Sequence, residues 1–404
     1  MKKMITVDEA EQLIQHNVPT YDVTEVPFDQ IQGRVLRQNI TADRDLPPYN
    51  RVTMDGIAFA YDGWETGRRD FAIAGIVKAG EPATEIPDQE HCVEIMTGAV
   101  LPESCDCVIR VEDIKVADGI ATVHSAVEAV RMQNVHIQGS DSKRGDCLLQ
   151  AGQRLLSAQV AIPASTGCTT VQVDKRPRIA IVATGDELKN VADDVLPHQI
   201  RQTNTHAIRA ALIIHGYADV TLHHFVDERL ELLAGLQQIL QTCDVLILSG
   251  GVSMGKFDLV PGVLEELQVR GVFHKVQQRP GKPLWFGVGT EDQAVYGLPG
   301  NPVSAVMSFH RYILPQLKRS AGLCDEVPEY AVLAQDFTFG KALTYFLPVQ
   351  LSFNSEGQRL AIPVKLNGSG DFAGLAKGDG FIELAAEQDE FSAGTVCKLY
   401  RWQD

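Results

Sequence analysis

Between residues 178 and about 320, segments with the pattern of strands alternate with segments with the pattern of helices. The strand segments are short apolar runs rich in β-branched and aliphatic residues, among them R-I-A-I-V-A-T, D-V-L-I-L and A-V-Y-G-L. Strands separated by helical crossovers predict a mostly parallel sheet that helices cover on both faces. Ligands of such sheets bind beyond the carboxyl ends of the strands.

A chain of 404 residues is too long for one ordinary core, and the flanking regions have other patterns. Short β-rich runs alternate with Gly, Pro and Asp turns in one flanking region, whereas the segments on either side of that region look mainly helical. Thr6 and Glu9 form a capping-box pattern at the start of the first helix. We therefore expect an α/β multidomain protein with an N-terminal helical domain (1–44 plus 141–175), an inserted β-rich domain (45–140), an α/β domain (176–322) and a small C-terminal β-domain (323–404).

Composition excludes several classes of protein. No apolar run approaches the ~20 residues of a membrane-spanning helix, and the first residues lack the apolar segment of a secretory signal. A net charge of −16 weighs against nucleic acid as a partner, because nucleic-acid binding needs a basic face. The eight cysteines are scattered without a C-x-x-C pair. We expect a cytoplasmic protein with buried, reduced thiols and neither nucleic-acid nor membrane partners.

The loop S-G-G-V-S-M-G-K-F-D leaves the carboxyl end of the D-V-L-I-L strand. Gly250 and Gly251 allow backbone N–H groups to approach an anion closely, and the hydroxyls of Ser249 and Ser253 add further donors. The alternative interpretation is an ordinary tight turn, since glycine is common at strand ends.

A second glycine-rich loop, G-L-P-G-N-P-V-S-A, also joins a strand to a helix. Asn301 has the character of an N-cap and Pro302 that of a first helical residue, after Pro299 and Gly300 in the turn. Helix N-termini attract anions, although Pro and Gly could merely shape the connection. Two such loops in one sheet favour a bound phosphate or carboxylate.

Three cations lie close together in H-K-V-Q-Q-R-P-G-K-P, between the two loops. These are Lys275, Arg279 and Lys282, in a chain that is otherwise acidic. Clustered like charges cost stability unless an anion relieves them, so an oxyanion or phosphate site is predicted. Surface lysines are often only solvated, which is the alternative.

Carboxylates follow the ends of several predicted strands: Glu187 in T-G-D-E-L, Asp227 in F-V-D, and Asp258 at the end of the first glycine loop. Acids on the same rim as anion-binding loops suggest Mg²⁺ bridging the protein to a phosphate. Helix capping is the alternative for Glu187 and Asp227. Asp55, in the polar M-D-G turn, is a further candidate, although M-D-G could be only a turn.

Taken together, these motifs resemble the molybdopterin molybdenumtransferase family, the MoeA proteins, whose eukaryotic relatives include the E domain of gephyrin. The resemblance covers essentially the whole chain. Besides the segments quoted above, it is carried by M-D-G-I-A at 54–58, I-M-T-G-A at 95–99, T-N at 203–204, R-P-G-K-P at 279–283 and G-S-G-D-F near 370.

The resemblance implies insertion of molybdate into adenylylated molybdopterin, with release of AMP and help from a divalent metal such as Mg²⁺. It implies catalytic roles for Asp55, Glu187 and Asp258 and metal binding by Glu187, Asp227 and Asp258. The substrate-binding residues that it implies or that the loops suggest are Thr97, Asp141, Asp227, Ser249, Gly250, Gly251, Ser253, Lys275, Arg279, Lys282, Pro299, Gly300, Pro302 and Ser369.

Family members are elongated homodimers of four-domain subunits whose active clefts are shared between chains. The resemblance therefore implies a homodimer, with molybdopterin adenylyltransferase and molybdoenzyme maturation proteins as further partners. In such a dimer, the residues near Asp55 and Thr97 would face the partner's sheet domain.

The chain departs from the family pattern at several polar positions. Gln202 replaces a usual aspartate and Arg279 a frequent lysine, and an expected arginine is missing near Gln350; His136, Gln138 and Ser140 stand near Asp141. Two other functions stay open at this point. One is a non-catalytic scaffold that keeps the pterin-binding fold, and the other is an adenylyltransferase or nucleotide pyrophosphatase built on the same α/β domain.

Overall fold

The computed structural model describes residues 4–252, 259–324 and 327–402. The chain forms two compact units. The first comprises Met1–Arg37, Ala151–Leu156 and Thr170–Asp404, and the second comprises Gln38–Gln150 and Ser157–Thr169.

A six-stranded sheet, here called the central sheet, forms the middle of the first unit. Four neighbouring strands of this sheet are parallel, and the two remaining strands pair antiparallel. The mostly parallel sheet predicted from the alternating pattern is therefore confirmed. In spatial order the strands are Val220–Phe225, Ile179–Thr184, Val245–Ser249, Ala294–Leu298, Trp285–Val288 and Arg270–His274.

Helices cover both faces of the central sheet. Because successive side chains of a strand point to opposite faces, Ile181 packs into one core cluster with Leu212, while Val182 packs into the other with Leu236. The inner strands, such as Ile179–Thr184 and Val245–Ser249, are consequently buried along their whole length, as the sequence predicted, whereas the edge strand Val220–Phe225 carries polar residues. The helices of this domain are Asn204–Ile214, Arg229–Leu240, Val260–Glu266, Pro302–Ser308 and Leu314–Ser320, the last two joined by a π-turn at Phe309–Ile313.

The N-terminal helix, Val7–Asn17, begins at the predicted capping box. The Glu9 N–H donates to Thr6 Oγ1 at 3.2 Å, and the Thr6 N–H donates to Glu9 Oε2 at 3.0 Å. Its buried residues, Ala10 and Ile14 among them, belong to the same core cluster as one face of the central sheet. This helix is therefore part of the first unit's core.

The expectation of mainly helical structure on both sides of the inserted β-rich region is wrong in detail. Val23–Pro27 is a strand that pairs antiparallel with Thr170–Asp174, and only Phe28–Gln30 forms a short 3₁₀ turn. In the second stretch the one α-helix is Ser157–Ser165. The cause is tertiary, because alternating β-branched residues in two distant segments find each other and form a ladder.

The second unit is β-rich, as predicted. Core clusters lie on both faces of its six-stranded sheet. In spatial order the strands are Cys107–Arg110, Gly56–Phe59, His91–Ile95, Asp70–Val77, Ile120–Val123 and Ile114–Ala117, with a short helix at Tyr61–Glu65. Two small ladders pair Arg51–Val52 with Val135–His136 and Ile40–Thr41 with Cys147–Leu149.

The end of the chain forms the predicted C-terminal β-domain, which is part of the first unit. Thr344–Phe353 pairs with two strands of the domain, so the ladder closes on itself. Gln278–Arg279 of the α/β domain adds to the outer side of Thr344–Phe353. The remaining strands are Tyr330–Leu333, Phe337–Thr338, Arg359–Pro363, Gly380–Leu384, Glu390–Phe391 and Val396–Arg401, with a short helix at Phe372–Leu375.

The cysteines are free thiols, as expected, but not all are buried. Cys147 and Cys324 are exposed and Cys168 is half-buried. Burial raises the pKa of Cys92, among others, to about 12, so that thiol stays protonated. Within the residues that the structure covers, no helix has the length and apolar character needed to cross a membrane.

Candidate functional site

Loops from three neighbouring parallel strands meet at the carboxyl edge of the central sheet. The strands end at Thr184, Ser249 and Leu298, and the chain reverses its direction of travel across the sheet between the first two. Ligands of α/β sheets bind at such a reversal. A cavity of about 630 Å³, here called the sheet-edge cavity, lies there.

Eight of the residues predicted from the sequence line the sheet-edge cavity. Ser253 and Asp258 lie outside the described residues. The eight are Glu187, Asp227, Ser249, Gly250, Gly251, Pro299, Gly300 and Pro302.

The two glycines after Ser249 are required by the backbone. Gly250 and Gly251 have φ of +105° and +63°, in the left-handed region that residues with a Cβ rarely adopt. A Cβ at Gly250 would lie 2.6 Å from the carbonyl oxygen of Thr184, and one at Gly251 would lie 2.8 Å from Val260 Cγ2. The loop therefore packs tightly against its own domain while lining the cavity.

Asn204 holds the two glycine-rich loops together. Its Nδ2 donates to Ser249 Oγ at 2.8 Å and to the Gly300 carbonyl oxygen at 2.8 Å. Asn301 precedes its helix at the N-cap position and Pro302 occupies the first turn, as predicted. The N-terminus of the Pro302–Ser308 helix thus lies at the cavity, where the helix dipole favours an anion, although the Val303 N–H is already bonded to the Ser369 carbonyl oxygen at 3.0 Å.

Among the described residues, two carboxylates line the sheet-edge cavity. Glu187 folds back close to Gly185, and the Asp227 backbone N–H donates to Asp186 Oδ1 at 3.0 Å, which ties the ends of two strands together. No group of three or more His, Cys, Asp or Glu side chains suited to a metal ion occurs among the described residues. Asp258, the third predicted ligand, is not among them.

Three buried polar atoms near the same cavity have no hydrogen-bond partner among the residues that the structure describes. They are Thr184 Oγ1, Gln202 Nε2 and Thr205 Oγ1, and all three residues line the cavity. Most buried polar atoms in proteins are paired, so such a concentration is typical of a functional site.

A second cavity of about 380 Å³, here called the cationic cavity, adjoins the first and shares Pro299, Pro283 and Asn301 with it. Arg279, Lys282 and Lys341 line it, and no Asp or Glu does so among the described residues. An anion is favoured where several cations meet without a carboxylate, in a chain with a net charge of −16.

The composition of this cluster differs from the predicted one at two positions. Lys275 does not line either cavity among the described residues; its backbone N–H donates to the Leu284 carbonyl oxygen at 2.9 Å. Lys341, which the sequence reasoning missed, belongs to the C-terminal domain. Ser369, from the same domain, lines the cavity and adds a hydroxyl. Strand pairing of Gln278 with Thr344 and of Arg279 with Tyr345 brings Lys341 near, and no local sequence signal marks it.

The remaining predicted residues lie in the second unit. Asp55 Oδ1 accepts hydrogen bonds from the Thr97 backbone N–H and hydroxyl, both at 2.7 Å. These two bonds lower the pKa of Asp55, with the backbone bond the larger cause. Asp141 Oδ1 is bonded to His136 Nε2 at 2.8 Å, and the His136 ring also contacts Arg51. His136 therefore occupies the place beside Asp141 at which the chain departs from the family pattern.

The fold and the two adjoining cavities define a multidomain α/β protein with an anion-binding site at the carboxyl edge of its sheet. Three family regions match in succession: the MoeA N-terminal region (domain I and II) at residues 5–167, the Probable molybdopterin binding domain at 180–319, and the MoeA C-terminal region (domain IV) at 330–402. The chain belongs to the MoeA family.

Similar proteins support this membership. A molybdopterin molybdenumtransferase of Synechocystis sp. is 40% identical over 400 residues, covering 99% of this chain and 100% of that protein. A Bacillus subtilis protein of the same name is 31% identical over 406 residues, covering 98% and 93%. The crystal structure of a molybdopterin biosynthesis MoeA protein from Pyrococcus horikoshii has a TM-score of 0.82 at 28% identity, covering 99% and 100%.

Gly250→Ala is expected to destabilise the protein by about 1–3 kcal/mol, because alanine disfavours the left-handed backbone and its methyl group would meet Thr184. Thermal unfolding measures the loss. Gly262→Ala is the control, since a Cβ at that helical position meets nothing within 4 Å and should be neutral or stabilising. Equal melting temperatures for the two variants would contradict the packing argument.

Thr97→Val is expected to raise the pKa of Asp55 toward its usual value, because the variant keeps the backbone N–H but loses the hydroxyl. A lowered pKa in the folded state means that Asp55 stabilises the fold at neutral pH. The contribution is lost as the pH falls through that lowered pKa. Carbon-13 NMR titration of the Asp55 carboxyl measures the shift. Thr97→Ser should keep the wild-type value, and an unchanged pKa in Thr97→Val would refute the role of the hydroxyl.

Proposed function

We propose that this protein is a molybdopterin molybdenumtransferase, which inserts molybdate into adenylylated molybdopterin and releases AMP. The observation that carries the proposal is the pair of adjoining cavities. One has carboxylates and glycine-rich loops, and the other has three cations and, among its described lining residues, no acid. The reaction joins a phosphate-bearing organic substrate to an inorganic oxyanion, and the two cavities match these two chemistries.

The sheet-edge cavity suits the adenylylated pterin. Its volume of about 630 Å³ falls in the range of small-molecule sites. The turn at Gly250 and Gly251 presents backbone rather than side chain, and the helix after Asn301 begins at the cavity. Backbone N–H groups in such positions bind phosphate oxygens.

Glu187 and Asp227 fit the divalent metal that the resemblance implies. Mg²⁺ binds through one or two protein carboxylates together with substrate phosphate oxygens and water, and both carboxylates line the sheet-edge cavity. When bound, Mg²⁺ would neutralise charge that develops on the phosphate as AMP leaves. Glu187 and Asp227 would hold the ion beside the glycine-rich loops.

The cationic cavity suits molybdate. Arg279 offers a planar fork of donors, Lys282 and Lys341 offer ammonium groups, and Ser369 offers a hydroxyl. A tetrahedral oxyanion can accept hydrogen bonds from all four. Because Pro299 and Asn301 line both cavities, molybdate bound here would lie next to the pterin site.

The two other functions considered from the sequence are not favoured. The match to the family extends over the N-terminal, α/β and C-terminal regions, and the full-length relatives are named as molybdenumtransferases. A role as a transferase in molybdenum cofactor biosynthesis follows. We also propose that the chain is a cytoplasmic homodimer of four-domain subunits, as the resemblance implies.

The direct test incubates the purified protein with adenylylated molybdopterin, molybdate and Mg²⁺, then measures AMP release and the active cofactor formed. Release of AMP that depends on molybdate supports the proposal. Tight binding of the pterin without turnover would instead indicate a scaffold.

Glu187→Gln and Asp227→Asn are each expected to slow AMP release at least tenfold, because each removes a charge that would hold the metal ion. Raising the Mg²⁺ concentration should restore part of the rate. Glu231→Gln, on the Arg229–Leu240 helix, is the matched control and should be as active as wild type. Wild-type rates in both site variants would exclude these two carboxylates from the reaction.

Arg279→Ala, Lys282→Ala and Lys341→Ala are each expected to raise the molybdate concentration needed for half-maximal rate several-fold, with a smaller effect at saturation. Lys275→Ala distinguishes the predicted cluster from the observed cavity, since Lys275 lies outside the lining residues. Steady-state titration with molybdate makes the comparison. If Lys275→Ala alone raised the requirement, the cationic cavity would not be the oxyanion site.

A further inference from the structure

A buried amide lies directly beneath the loop that carries two of the cations. Gln278 is 0% exposed and immediately precedes Arg279-Pro280-Gly281-Lys282. Burying an amide costs free energy unless its N–H and C=O groups form hydrogen bonds. The hydrogen-bond partners of Gln278 therefore indicate its structural role.

Both ends of this amide are bonded. Its Nε2 donates to the carbonyl oxygens of Pro280 at 3.2 Å and Gly281 at 3.3 Å, and its Oε1 accepts from the Tyr312 hydroxyl at 2.5 Å. Burial raises the pKa of Tyr312 well above its usual value, so the hydroxyl stays protonated and donates. Gln278 therefore connects the turn of the loop to a tyrosine of the helical layer.

Tyr312 is itself held firmly. It lies in the π-turn Phe309–Ile313, and its neighbour Arg311, 2% exposed, forms ion pairs with Glu11 at 2.9 Å and Glu383 at 2.7 Å. These partners belong to the N-terminal helix and to the C-terminal β-domain. Tyr312 therefore lies beside a junction of the α/β domain, the N-terminal helix and the C-terminal β-domain.

The backbone of the Arg279–Lys282 loop has little room to move. Gly281 has φ of +85°, and a Cβ there would lie 2.8 Å from both Gln278 Nε2 and Ser308 Oγ. Arg279 and Lys282, in contrast, are exposed on the cavity side of the loop. The cationic side chains therefore extend into the cavity from a loop backbone that Gln278 holds in place.

We propose that Gln278 and Tyr312 are positioning residues that hold the Arg279–Lys282 loop in the geometry that binds a tetrahedral oxyanion. This inference rests on the proposed role of the cationic cavity. A loop held in place before binding loses less conformational entropy when the anion arrives, so the affinity is higher. Tyr312 does not line the cavity, and Gln278 lines it with an amide whose two ends are already bonded to the protein, so both residues act through Arg279 and Lys282.

Tyr312→Phe removes only the hydroxyl, and Gln278→Met replaces the amide with an apolar chain of similar length. Tyr312→Phe is expected to raise the Kd for molybdate alone about three- to tenfold, the scale of one hydrogen bond, and Gln278→Met, which removes three bonds, at least as much. Neither variant should change the rate at saturating molybdate much. Isothermal titration calorimetry gives Kd, and molybdate titration of AMP release gives KM and kcat. Tyr296→Phe, at a buried tyrosine of the central sheet, is the matched control and should leave Kd unchanged.

The double variant Gln278→Met/Tyr312→Phe separates positioning from a structural role. Compared with Gln278→Met, the double variant no longer leaves the buried Tyr312 hydroxyl unpaired, so it should regain part of the stability that Gln278→Met loses. The Pro280 and Gly281 carbonyl oxygens lose their donor equally in both variants. Positioning predicts that molybdate affinity stays low although the melting temperature recovers. Recovery of both together would overturn the proposal.

Arg279→Ala keeps this test independent of the proposed function. Weaker molybdate binding in Arg279→Ala combined with wild-type binding in Tyr312→Phe would refute the positioning role alone. Wild-type binding in Arg279→Ala as well would mean that the cationic cavity is not the oxyanion site.

Discussion

The parallel register of four strands in the central sheet is the constraint on which the site depends. Ile179–Thr184 pairs with Val220–Phe225 on one side and with Val245–Ser249 on the other, so three strands end at one edge. Burial on both faces fixes this register, since side chains alternate between faces and a slip of one residue would exchange them. The sheet brings the loops that follow to one edge, and the Asn204 side chain then joins the two glycine-rich loops.

Opposite charges line different cavities in the first unit. The carboxylates of Glu187 and Asp227 follow strands of the central sheet, whereas Lys341 comes from the C-terminal β-domain. An ion pair between these groups would satisfy both without a ligand. Their separation leaves one cavity suited to a cation and phosphate and the other suited to an oxyanion, and the shared wall at Pro299 and Asn301 keeps the two next to each other.

Local patterns identified the parts of the fold in which local and tertiary preferences agree. The capping box at Thr6 and the apolar strands formed as predicted. Val23–Pro27 was wrongly expected to be helical, because its partner Thr170–Asp174 lies far away in the sequence and a ladder is invisible until both strands are in place. Lys341 and Gln278 were missed for a related reason: Lys341 belongs to no motif, Gln278 is an uncharged residue within the cation-rich segment, and packing gives each its neighbours.

The sequence by itself determined the class of fold, the family, and the glycine loops, because these depend on short-range pattern and on residue types that few conformations tolerate. The left-handed backbone at Gly250 is an example. Tertiary structure alone decided which cations share a cavity, since Arg279 and Lys341 are brought together by strand pairing while Lys275, only four residues before Arg279, does not reach the cavity lining. Charge acts over distance in space, and the separation of two residues along the chain does not determine that distance.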